Sequence, residues 1–106
     1  MKKNQSAVLM KVTGEIEIVF PRDNKEFSLE ELQAYVGGLI EIVPLPEKDG
    51  NEMAVIVNEN GKNEGLPTNQ NATKLWKAAY PIELYPDNND EQIVGDILVV
   101  DYNQFL

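Results

Sequence analysis

The sequence contains neither cysteine nor histidine. Disulfides, the common zinc sites, and thiol or imidazole catalysis are therefore out of reach, and most familiar enzyme mechanisms go with them. Basic residues are scarce: nine Lys and Arg stand against eighteen Asp and Glu, a formal charge of −9, which argues against a surface built to neutralise nucleic-acid phosphates. Long apolar runs are missing too. The basic start Met1-Lys2-Lys3 is followed only by Ala7 to Met10 before Lys11 intervenes, too short for a signal-peptide core, and no stretch approaches the roughly 20 residues that cross a bilayer. The expectation is a cytoplasmic protein with no membrane partner, in which the triplets Asn4-Gln5-Ser6 and Asn71-Ala72-Thr73 mean nothing as glycosylation acceptors.

What is present is enough apolar mass for one core, 42% of 106 residues, and a length that fits one domain. Val8, Met10 and Val12 lead through Thr13-Gly14 into Glu15-Ile16-Glu17-Ile18-Val19-Phe20, an alternation that predicts a hairpin with Ile16, Ile18 and Phe20 facing the core and Glu15 and Glu17 facing water. A helix start follows Pro21-Arg22-Asp23-Asn24-Lys25. Ser28 is its N-cap, Glu31 completes a capping box, and Phe27 with Leu32 forms a hydrophobic staple. That helix should bury Leu29, Leu32 and Val36 and end at Gly37-Gly38. Leu39 to Val43 predicts a strand closed by Pro44-Leu45-Pro46, and Met53 to Val57 a strand covered on both faces. Asn60-Gly61 is a two-residue hairpin signal and predicts a tight reversal over Asn58 to Lys62. A second helix runs from about Ala72 to Tyr80, burying Leu75, Trp76 and Ala79, with Asn69, Asn71 or Thr73 as its cap. An extended connection from Tyr80 to Glu91 leads to a last strand, Ile93-Val94 with Ile97 to Val100, in which Gly95 marks a bulge or a close backbone approach. The order β-β-α-β-β-α-β describes a single α+β domain, residues 1–106, with a mainly antiparallel or mixed sheet of about five strands and two short helices.

The segments Gly37-Gly38-Leu39-Ile40-Glu41-Ile42-Val43, Asn58-Glu59-Asn60-Gly61, Gly65-Leu66-Pro67-Thr68-Asn69 and Ile93-Val94-Gly95 fall in an order that resembles a family of small bacterial domains of unknown function, frequent in phages, plasmids and conjugative elements. The resemblance runs from about Phe27 to Val100. It implies a small intracellular protein of a mobile element, of the kind that blocks or modulates a host machine, and it carries no catalytic residue across; no cofactor is expected.

Among candidate sites, Asp87-Asn88-Asn89-Asp90-Glu91 has oxygen ligands of the sort a calcium loop uses, but Gln92 stands where such a loop needs glycine and the closing Glu is missing, so no metal is expected. Glu41, among apolar neighbours, reads as a residue of the sheet's wet face or edge. Charge asymmetry is the more informative feature. Five bases meet four acids through Phe27, whereas four bases meet fourteen acids from Ser28 onward, and no base follows Lys77. A one-signed stretch like that after Lys77 steers basic partners. Tyr80-Pro81 and Tyr85-Pro86 bracket Ile82 and Leu84, an arrangement suited to interface anchors with an acidic rim. The leading expectation is therefore a non-catalytic acidic protein that binds a basic host protein, such as a nucleic-acid enzyme of host defence, through Tyr80, Leu84, Tyr85, Asp87, Asp90 and Glu91. The alternative is a module that sequesters a nucleotide-like ligand with Asn58, Glu59, Leu66, Pro67 and Asn69. An enzyme is the least favoured class, because a carboxylate-only hydrolase needs two acids facing one cleft.

Overall fold

The structure is a computed structural model and describes residues 5–105; the basic start and Asn4 lie outside the described residues. The elements are β1 (Ala7–Met10), β2 (Ile16–Val19), α1 (Leu29–Val36), β3 (Ile40–Pro44), β4 (Met53–Asn58), α2 (Gln70–Ala79) and β5 (Ile97–Asp101), followed by a 3₁₀ helix, Tyr102–Phe105. They form one five-stranded sheet in the order β2-β1-β5-β4-β3, with all four pairings antiparallel. This is the expected α+β domain with its β-β-α-β-β-α-β order. No helix among the described residues is long and apolar enough to cross a membrane.

The last strand lies at the centre, and its composition explains why. Ile97, Leu98, Val99 and Val100 are all buried, a continuous apolar run of the kind that needs cover on both faces. One face of the sheet sets Ala7, Leu9, Ala54, Ile56, Leu98 and Val100 against Leu32 and Val36 of α1 and against Phe27. The other sets Val55, Ile97 and Val99 against Ala72 and Trp76 of α2, with Val8, Met10, Val43 and Val57 at its margin. Ile56, Ile97, Leu98 and Val100 are completely enclosed, each contributing about 1.5–3 kcal/mol relative to exposure.

The start of α1 follows the capping chemistry of its sequence. The Glu31 amide donates to Ser28 Oγ at 3.1 Å, and the Ser28 amide donates to Glu31 Oε2 at 2.7 Å. Glu31 Oε1 also accepts from the Arg22 amide at 2.7 Å, which ties the Pro21–Lys25 turn to the helix. Gly37 ends α1 at φ 81°, a left-handed conformation that glycine adopts without cost.

The start of α2 rests on Asn69, one of the three caps expected. This side chain is fully buried. Its Oδ1 accepts from the Ala72 amide at 3.1 Å, while its Nδ2 donates to the carbonyls of Met10 and Gly95, both at 2.9 Å. One carboxamide thus caps the helix and fastens it to the end of β1 and to the approach to β5. The neighbouring Gly95 has φ 76°, and a Cβ there would lie 2.8 Å from Leu66 Cδ1. A close approach, not a bulge within the strand, is what this glycine serves.

Five expectations are corrected. Ile93-Val94 does not belong to the last strand: β5 begins at Ile97, and Val94 makes an isolated bridge to Thr68. Ile16, Ile18 and Phe20 are 54%, 66% and 63% exposed, and Val19 is the buried residue of β2. The pairing of Val19 with Ala7 places Val19 on the α1 face and sends the isoleucines to the opposite face, where α2 does not cover the edge strand. Leu29 is 58% exposed, because Glu31, bonded to Ser28 and Arg22, takes the buried side of the first turn. Asn60-Gly61 does form a turn, with the Gly61 amide donating to the Asn58 carbonyl. No strand returns beside β4 from it, since β4 already lies between β3 and β5. The Tyr80–Glu91 connection is coiled, not extended: the Tyr85 amide donates to the Pro81 carbonyl and the Asn89 amide to the Tyr85 carbonyl.

Three stability outcomes follow from these contacts. Ser28→Ala should cost about 1 kcal/mol through the lost cap, a drop of roughly 4–8 °C in melting temperature for a domain of this size. The two amides that donate to Glu31, from Ser28 first and Arg22 second, hold its carboxyl below the ordinary glutamate value. A carboxyl depressed in the folded state stabilises above its unfolded pKa and loses that contribution as pH falls toward its folded one. The difference in melting temperature between the natural chain and Glu31→Gln should therefore be full at neutral pH and close on acidification below the ordinary glutamate range. Asn69→Ala removes a cap and leaves two carbonyls without their donor, a loss on the order of 3 kcal/mol in chemical denaturation, and Asn69→Asp should not restore it, since it keeps the cap but supplies no donor.

Candidate functional site

The α2 face of the sheet is not completely filled. Between α2, the turn that follows β4 and the segment before β5 lies a cleft of about 590 Å³. Its floor is apolar, with Val43 from β3, Val55 and Val57 from β4, Trp76 from α2, and Ile93 and Val94. Its rim is acidic, with Glu41 from β3, Glu59 from the turn, and Asp87 and Glu91 from the segment opposite; Lys62 is the lysine of the lining. Amides from Asn63, Asn88 and Gln92 complete the wall.

Local chemistry fixes each part. Val43, Val55, Val57 and Glu41 share the cleft face because the register pairs Glu41 with Val57 and Val43 with Val55, and alternate residues of a strand point the same way. Trp76 is held by its indole N–H, which donates to the Asn88 carbonyl at 2.9 Å. Asn89 Nδ2 donates to the Tyr80 carbonyl at 2.8 Å, so the acidic segment is tied to the end of α2. The Thr73 hydroxyl accepts from the Ile93 amide at 3.0 Å and donates to the Ile93 carbonyl at 3.3 Å. Across the mouth, Lys62 forms an ion pair with Glu91, joining the turn after β4 to the segment before β5. Glu41, Glu59 and Asp87 remain exposed. Among the described residues no group of three or more carboxylates is placed to hold a metal ion.

The residues nominated from the sequence separate into several environments. Tyr80 packs on Trp76 with ring centroids 4.4 Å apart, meets Tyr85 edge-on at 4.9 Å, and donates its hydroxyl to the Pro44 carbonyl at 2.9 Å. Burial, reinforced by Tyr85, pushes this phenol above its ordinary value, so it stays protonated and keeps donating. Leu84, 73% exposed, and Tyr85 line a second, more open groove of about 580 Å³ with Leu45, Met53 and Leu75. Asp90 is exposed and lines neither. Of the other set, Asn58 and Glu59 line the cleft. The Asn58 side chain is occupied, donating to the Val36 carbonyl at 3.3 Å and accepting from the Asn60 amide at 2.8 Å. Leu66 lies against Gly95, the Pro67 carbonyl accepts from the Gly95 amide at 2.8 Å, and Asn69 is consumed in its structural role.

The cleft therefore gathers Asn58 and Glu59 with Asp87 and Glu91, residues from both nominated sets, and adds Glu41, Val43, Lys62 and Trp76. Only Glu41 carried a sequence signal, as the one acid within the run Leu39 to Val43.

No curated protein and no solved structure matches the sequence. The sequence does match, over residues 6–104, the family described as a domain of unknown function, DUF3846, and by that match, which takes in both helices, all five strands and the whole lining of the cleft, the chain belongs to the DUF3846 family.

Proposed function

We propose that this domain is a non-catalytic binding protein for a basic protein partner, and that it receives a lysine or arginine side chain of that partner in the cleft over β3 and β4. One observation carries the reading: an apolar floor lies beneath a rim on which four acids accompany a single lysine. A long basic side chain satisfies both layers, with its methylenes against Val43, Val55 and Val57 and its charge among Glu41, Glu59 and Asp87. Glu91 is already neutralised by Lys62, which leaves the other three acids for the partner. The charge of −9 on the whole chain would steer such a partner from a distance and speed its encounter.

The target class that suits this charge is a basic host protein, such as an enzyme that handles nucleic acid, and the setting is that of a phage or other mobile element whose product inhibits or modulates it. Chemistry at the cleft is not part of the proposal. Glu41, Glu59 and Asp87 are exposed, whereas the general acid of a carboxylate pair needs an enclosing, water-poor setting. A nucleotide-like ligand is the weaker reading, since its phosphates would meet the acidic rim and the Asn58 and Asn69 side chains are spent on the fold.

Capture from host lysate with the natural chain, followed by binding kinetics on the captured protein, tests the reading. The triple variant Glu41→Gln, Glu59→Gln, Asp87→Asn should remain folded, because all three side chains are exposed. It should slow association by about tenfold at low salt and flatten its salt dependence. A partner whose binding ignores both salt and the triple variant would refute the proposal.

A further inference from the structure

The two edges of the sheet are unlike each other. On β3, the Leu45 amide donates to Met53 and the Glu59 amide to Leu39, so odd-numbered residues bond to β4 while Ile40, Ile42 and Pro44 turn their main chain outward. Pro44 has no N–H, and a proline on an edge is a common block against further strand pairing. On β2, the Lys11 amide donates to the Glu15 carbonyl and Glu17 and Val19 stand opposite Leu9 and Ala7. Ile16, Ile18 and Phe20 thus direct their N–H and C=O groups to the free edge. No proline, glycine or lysine interrupts residues 15–20. The side chains of these same three residues are 54%, 66% and 63% exposed, so an unpaired backbone and an apolar row coincide.

We propose that β2 pairs antiparallel with β2 of a second copy of this chain, about a two-fold axis at Ile18. In that register Ile18 faces the partner's Ile18 and Ile16 faces the partner's Phe20. These are the residues whose main-chain groups point outward, so each facing pair exchanges two hydrogen bonds. Glu17 falls opposite the partner's Val19 and Glu15 opposite the partner's Pro21, so no acid opposes an acid. The neighbouring two-fold registers are worse. One sets Glu17 against itself, and the other sets Ile16 against Arg22. The described residues of the segment that contains β2, 5–27, are also close to neutral, with three bases against four acids, whereas the acid excess lies from Ser28 onward, with four bases against fourteen, so the pairing edge belongs to the less acidic part of the chain. The interface is isologous and extends one sheet across both protomers.

Sedimentation velocity across a wide concentration range should show the mass rising from that of the monomer, 11.9 kDa, to twice that value. Ile18→Lys sets like charges face to face on the axis and should raise the dimer dissociation constant by at least about tenfold with the circular dichroism spectrum unchanged. As the chain has no cysteine, Ile18→Cys provides a second test that does not depend on the lysine variant folding. Paired strands hold facing Cα atoms within disulfide reach, so Ile18→Cys should crosslink into a covalent dimer under mild oxidation, whereas Lys74→Cys, on the exposed side of α2, should not. A natural chain that sediments as a monomer throughout, a dimer that persists in Ile18→Lys, or equal crosslinking of the two cysteine variants would overturn the proposal.

Discussion

The buried carboxamide of Asn69 fixes how the two halves of this domain meet. Met10 and Gly95 belong to segments far apart in sequence, yet their carbonyls converge on one Nδ2, and the same side chain starts α2. A buried carbonyl without a donor costs about 1–3 kcal/mol, so the helix has one orientation in which all three partners are satisfied. That orientation sets Ala72 and Trp76 on β4 and β5 and brings Thr73 to Ile93. Everything on the open side of the sheet is hung from this point: the indole that walls the cleft, the acidic segment bonded to it, and the mouth closed by Lys62 and Glu91.

The two faces of the sheet consequently have different characters. The α1 face is a conventional core, in which a short helix with satisfied ends covers the middle strands. The α2 face is only partly covered. At one margin, over β3 and β4, the gap becomes an acid-rimmed cleft with an apolar floor. At the other, over β2, it leaves an apolar row in water. Proteins usually blunt the edges of their sheets, and here one edge ends in proline while the other is bare.

Local signals were the legible ones. The Ser28–Glu31 box, the glycine stop of α1, Asn69 among the possible caps and the apolar run of β5 all express interactions between residues close in sequence, and the structure contains each of them. The faces of β2 were not legible, because inward and outward are decided by pairing with β1 and by how far α2 extends. Within β2 the more apolar row is the exposed one. Asn60-Gly61 turns the chain as its chemistry requires, but a turn does not choose which strand its neighbour joins. The cleft was hidden for the same reason. Its lining comes from residues 41–43, 55–63, 76 and 87–94, and only the sheet register and the Asn69 anchor bring those stretches together. Both nominated sets contributed members to it, and neither outlined it.

Trp76 is the only tryptophan in the chain. It stands in the cleft wall with its N–H on the Asn88 carbonyl and the Tyr80 ring against it. Indole emission responds to polarity and to quenching by nearby groups, so the tryptophan fluorescence of this protein, excited apart from its four tyrosines, originates at the cleft. Events at the mouth, such as the entry of another side chain or a shift of the Asn88 carbonyl, would register optically with no label attached and no second indole to dilute the change.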